Sequence, residues 1–170
     1  MNISYSDVTV YMPQNARLGR AEIYIGAGEM DIDHLTAEKA MVNVGAGSLT
    51  IKDLEVGKIQ MNVGAGSVTV KDGVIGDMEL ATGMGSLTMK ANITGDIYSS
   101  VAMGEVKIVV CGSGEKDHNY ELSCTAGEMR VGSRYNAGLG MDISIDNDAL
   151  STYTLTCAMG SVSVTFQSDK

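Results

Sequence analysis

The sequence predicts an all-β parallel solenoid, a β-helix-like stack of coils about 19 residues long, and three observations predict it. A glycine returns at a fixed interval, the residues around it alternate apolar and polar, and the parity of that alternation changes at the glycine. The recurring residue is the last of Gly26-Ala27-Gly28, Gly45-Ala46-Gly47, Gly64-Ala65-Gly66, Gly83-Met84-Gly85 and Ala102-Met103-Gly104. A constant period near 20 residues marks a repeat architecture. Ahead of the glycines run Ala40, Val42, Val44, Ala46; then Ile59, Met61, Val63, Ala65; then Met78, Leu80, Thr82, Met84. That period of two belongs to a half-buried strand rather than a helix.

Each element follows from where the parity flips. Past the glycine the apolar pairs become Leu49 and Ile51, Val68 and Val70, Leu87 and Met89. A regular pleat cannot change parity, so the chain bends there, and glycine permits the corner. A second flip follows Lys52-Asp53, handing over to Leu54 and Val56. A third falls at Gly57-Lys58, with Gly76-Asp77 and Gly95-Asp96 in the matching places. Three corners per 19 residues give a coil of two or three short faces. Stacking at about 4.8 Å sets like residues over like. Ile25, Val44, Val63, Thr82 and Val101 then form an inward column, and Ser48, Ser67 and Ser86 an outward one. The crossover rule favours a right-handed path.

The 170 residues make one domain of about seven coils. Residues 1–19 are expected as an N-terminal cap, with Asp7–Met12 a strand that lids the first coil, ended by Pro13. Residues 20–110 hold the five regular coils, and 111–170 the irregular coils and a C-terminal cap. Two insertions break the late coils, a polar loop over Gly112–Asn119 and a longer one over Ser133–Thr152. Gly127 and Gly160 restore the corner. Phe166, the only Phe, is placed to plug the terminal coil, and the tail Ser168-Asp169-Lys170 discourages edge pairing.

Composition narrows the function. A formal charge of −9 excludes a nucleic-acid partner, since phosphate neutralisation needs clustered Lys and Arg. No apolar run reaches the ~18 residues of a membrane-spanning helix. Met1–Tyr5 shows neither the basic nor the apolar region of a signal peptide. Three cysteines make no disulfide framework. Cys124 and Cys157 fall three residues before their glycines, in the inward column, and read as small buried hydrophobes, with a disulfide between them the alternative if their coils are neighbours.

The repeated unit aliphatic-x-aliphatic-Gly-Ala-Gly-Ser-aliphatic-Thr-aliphatic-Lys, with the closing Gly-Glu-Met-Arg-Val-Gly and Gly-Ser-Val-Ser-Val-Thr-Phe, resembles the bacterial adhesin-like family also called the toastrack domain. The resemblance covers Val8 to Phe166. It implies a β-helix-like fold of unknown function, often attached to membrane or envelope proteins. It implies no catalytic residues, because the shared motif is the corner: Gly28, Gly47, Gly66, Gly85, Gly104, Gly127 and Gly160.

Candidate chemistry is sparse. Gly-x-Gly turns cradle phosphate only when a helix follows, and none does. Calcium-binding repeats need Asp after the glycines, where this chain has Ser-Leu-Thr. The Ser and Thr ladder at 48 and 50, 67 and 69, 86 and 88 lasts three coils, and solvated strand formers explain it better than an ordered-water face. Glu29, Asp31 and Asp33 beside His34 are the densest acidic patch, but a pair between Asp33 and Lys52 on adjacent coils explains it more simply than a cation. Cys111 and His118 are the only thiol and imidazole close in sequence.

The sequence therefore calls for no cofactor, no metal and no catalytic residue. It reads as a non-enzymatic interaction scaffold whose two insertions meet a protein or a glycan. The contact residues expected are Glu115, Lys116, Asp117, His118, Asp142, Asp146 and Asp148. The alternative is a carbohydrate-active lyase or hydrolase using Asp142, Asp146 and Asp148. Self-assembly through stacked ends into a homo-oligomer is a third option.

Overall fold

In the computed structural model, which describes residues 8–13 and 16–167, the repeat is built as the period requires. Strand β1 (Arg17–Ile25) pairs in parallel with β2 (Glu29–Val44), and β2 with β3 (Ser48–Val63). The fourth coil divides into β4 (Ser67–Val70) and β5 (Gly73–Thr82), and the fifth into β6 (Ser86–Ile93) and β7 (Ile97–Val101). Val63 lies directly over Val44, with Ile25 on the far side of Val44. The parity flips are bends inside continuous strands: in β3, paired exposed residues fall at Lys52-Asp53 and Gly57-Lys58. Three faces result, and Leu54, Ile59, Met61 and Leu87 fill the space between them.

The end of the stack departs from chain order. After β8 (Glu105–Cys111), which continues the first face, the chain passes through a short 3-10 turn (Glu115–Asp117) to β9 (Asn119–Val131). Strand β10 (Arg134–Ile145) folds back antiparallel along β9. The chain then returns to lay β11 (Thr152–Cys157) between β7 and β9, and β12 (Ser161–Gln167) between β8 and β9. The last coil in sequence is thus the penultimate rung in space, and β9 with β10 forms the end. Two expectations are corrected here. Ser133–Thr152 is mostly a strand that covers the outer edge of β9, not an irregular loop. Phe166 does not plug a terminal coil.

Phe166 has another task. The second face is last paired where Val74 and Ile75 meet Asn92 and Ile93, so the final rungs are two-sided. An aromatic cluster closes the open side. His118 stacks on Tyr153 with centroids 4.3 Å apart and lies 5.8 Å from Phe166, while Tyr120 meets both Tyr153 and Phe166 edge-on.

At the opposite end the expected lid is not found. Val8–Met12 carries no strand, and Val8, Val10 and Tyr11 are exposed. Arg17–Gly19, expected in the cap, belong to β1. Asp7, Gln14, Asn15 and the tail Ser168–Lys170 lie outside the described residues.

The corner glycines are needed for a reason other than backbone freedom. Among the seven named corners only Gly28 has a positive φ, 113°. At the others a Cβ would overlap a glycine carbonyl on the neighbouring rung. It would also come within 2.8 Å of Val44 Cγ1 at Gly66, 2.8 Å of Val63 Cγ1 at Gly85 and 2.8 Å of Cys157 Sγ at Gly127. The backbones touch at the corner, and no side chain fits between them.

Thr82 breaks the apolar column that Val63 and Val101 continue, and its Oγ1 is buried without a hydrogen-bond partner. Thr82→Val keeps the shape and removes the stranded hydroxyl. It is expected to raise stability by about 1 kcal/mol. A lowered thermal midpoint would show that the hydroxyl is satisfied after all. Farther along the same column Cys157 lies over Cys124, both buried and free. Burial, aided by the neighbouring Cys124, pushes the Cys157 thiol up to about 11, so the two read as packing residues.

Candidate functional site

The two insertions are one structure. Asn147 Nδ2 donates to the His118 carbonyl at 2.6 Å, and Asn119 Oδ1 accepts from the backbone N–H of Asn147 at 2.8 Å and of Ala149 at 3.2 Å. Asn119 Nδ2 donates back to the Ala149 carbonyl at 2.9 Å. Residues far apart in sequence are thereby tied into a single projection beside the last rungs.

Only some of the expected contact residues are free on its surface. Glu115 accepts from Ser133 N and Oγ, each at 2.9 Å, and from Arg134 Nε at 3.2 Å. The Ser133 backbone bond above all holds its carboxyl below the usual range. This clamp seats the 3-10 turn against the β9–β10 hairpin. The hairpin turns at Gly132, whose φ of 57° suits the first central position of a primed turn. Asp117 accepts from the Gly114 N–H at 2.7 Å and closes the 3-10 turn.

His118, expected as a contact, is 4 % exposed. Its Nδ1 meets Ser151 Oγ at 2.7 Å, and its Nε2 meets Ser113 Oγ at 2.8 Å and the Tyr153 hydroxyl at 3.2 Å. A neutral ring satisfies this set in either tautomer, because each hydroxyl can donate or accept. The imidazole is a keystone of the aromatic cluster, and hydroxyls rather than the Cys111 thiol occupy both nitrogens. Lys116, Asp142, Asp146 and Asp148 are exposed. Asp142 sits on β10 opposite Ser123, and Asp146 Oδ1 accepts from the Asp148 N–H at 2.9 Å, holding a turn in which Asp148 takes φ 56°.

Burial lowers the His118 pKa, against a smaller opposing pull from Asp117. The folded protein therefore binds a proton less readily than the unfolded chain. Stability is full above the ordinary histidine value of about 6.5 and falls as pH drops below it. His118→Gln is expected to flatten the dependence below about pH 6.5, measured by urea midpoints at several pH values. An unchanged slope would place the titrating group elsewhere.

Within the acidic patch Asp33 pairs with a lysine of the next rung, and His34 bonds an aspartate there. Lys52 Nζ lies 2.6 Å from Asp33 Oδ1, and His34 Nδ1 lies 2.8 Å from Asp53 Oδ2. Among the described residues no group of three or more His, Cys, Asp or Glu is arranged to hold a metal.

A second surface was missed by sequence reasoning. An open groove of about 1220 Å³ runs along the glycine corners across the stack. Its walls include the serine ladder, Glu29, Glu105 and Glu128, and the middle residues of the corners, which change from Ala46 and Ala65 to Met84, Met103 and Met159. The alanine-to-methionine change is visible when the repeats are aligned. That Met159 follows Met103 depends on the rung order, which is not.

The fold defines a parallel β-solenoid repeat protein with a covered C-terminal edge. The Toastrack DUF4097 family matches residues 1–165, and the chain belongs to that family. No curated protein and no solved structure matches it. No helix among the described residues is long and apolar enough to cross a membrane.

Proposed function

We propose that this Toastrack domain is a non-enzymatic interaction scaffold at the bacterial envelope, a rod whose loop-bearing end engages a protein or a glycan in the manner of an adhesin. The tying of the two insertions through Asn119 and Asn147 carries this reading. It gives Lys116, Asp142 and Asp148 a fixed relative placement on a rigid base, and pre-organisation of that kind lowers the entropic cost of binding.

Strand β10 cannot be swapped out as a test, because it covers the edge of β9. Point changes suit better. Lys116→Glu, Asp142→Lys and Asp148→Asn alter surface charge, and Asn tolerates the positive φ at 148. Binding to a glycan array and to immobilised envelope extract is expected to fall at least tenfold in the triple variant, with an unchanged melting curve. Retained binding would remove this end from consideration. Product release from any glycan on the array would favour the enzyme.

A further inference from the structure

The three methionines of the groove stand in an unusual relation to one another. Met103 N–H donates to the Gly83 carbonyl at 2.9 Å and Met159 N–H to the Ala102 carbonyl at 2.7 Å, so Met84, Met103 and Met159 occupy the same corner position on three successive rungs. Their exposures are 65 %, 52 % and 61 %, so these residues are largely open to solvent instead of packed. Ala46 and Ala65 on earlier rungs, and Ala126 on the last, fill the same position. The corner thus needs nothing larger than a methyl group, and core packing does not explain the methionines.

We propose that Met84, Met103 and Met159 form a thioether site for a soft monovalent cation of the Cu(I) class. Thioether sulfur selects such ions over the hard cations that carboxylate oxygens hold. The spacing permits it: successive rungs lie about 4.8 Å apart, and each methionine has three rotatable bonds, so three side chains on adjacent rungs can converge their sulfurs on one ion. The nearby charge favours a cation, since Glu128 lines the groove and, among the described residues, no Lys or Arg does. Glu105 is already paired with Lys107 at 2.8 Å and is not needed as a ligand.

The test titrates the full chain with Cu(I), supplied anaerobically against a chromophoric competing chelator, and with Ag(I) as a redox-silent second probe. A Cys111→Ser background removes the one part-exposed thiol. One Cu(I) is expected per chain, with affinity at least tenfold weaker in Met84→Leu/Met103→Leu/Met159→Leu. Met103→Leu interrupts both neighbouring pairs and is expected to cost more than either outer substitution. Met30→Leu, at an exposed methionine outside the groove, leaves binding unchanged. Methionine methyl resonances report where the ion sits, and Ag(I) is expected to shift the three groove signals alone. Equal affinity in the triple Leu variant, shifts at other methionines, or binding abolished only by changing Cys124 and Cys157 each overturns the site. Leu matches Met in size at exposed positions, and an unchanged melting curve verifies the fold.

Discussion

Removal of residues 152–170 is expected to detach β9 and β10 from the rod while β2 to β5 stay folded. If the chain were stacked in sequence order, the deleted segment would be the outermost coil and β9 would keep its neighbour. Instead, among the described residues, β11 and β12 form the one rung joining β9 to β7 and β8. Their loss also strips the core of Tyr153, Leu155, Cys157, Val162 and Val164, all buried. Each large apolar side chain among them forfeits on the order of 1.5–3 kcal/mol. Hydrogen exchange distinguishes the two arrangements. Amides of β9 and β10 are expected to exchange at nearly unfolded rates in the shortened chain, with those of β2 and β3 still protected. Native protection of β9 would refute the rung order.

The corner supplies the second large effect. Gly66→Ala is expected to destabilise by about 3 kcal/mol or more, as overpacking does where nothing can yield. The new Cβ would overlap the Gly47 carbonyl and come within 2.8 Å of Val44 Cγ1. Neither can retreat, because Gly47 stacks in turn on Gly28 and Val44 is locked in the core column. Gly26→Ala is the control from the first rung, two residues earlier in the corner motif than Gly28, the equivalent of Gly66. It lies at a corner of the first rung, where a Cβ would meet nothing within 4 Å, and is expected to stay within about 0.5 kcal/mol. Equal losses at the two positions, by chemical denaturation, would mean that glycine acts through backbone flexibility and not through contact.

The regular coils were legible because their signal is local. Nineteen residues separate Val44 from Val63, and every coil between Gly28 and Gly104 repeats the same offsets. Rung order after Gly104 is not local. The residues that place Cys157 on Cys124 put both in one column, but nothing in that column says which rung lies between which. Strand β10 was partly legible, because Met141, Ile143 and Ile145 alternate with exposed Asp142, Ser144 and Asp146. The run of Asp and Asn that follows has the composition of a loop and masks that short alternation. His118 shows the converse. A polar stretch made it look solvated, yet its partners Ser151, Tyr153 and Phe166 come from more than 30 residues away, and no short window contains them.

The threaded rung has a consequence for persistence. An outermost coil peels away by opening one ladder at a time, and each step is small. A strand held between two neighbours leaves only when both ladders open together, so escape requires a larger concerted rupture. The C-terminal strands β11 and β12 are therefore less prone to fray than β1, which among the described residues pairs only with β2, and they are expected to stay in place longer under heat or protease.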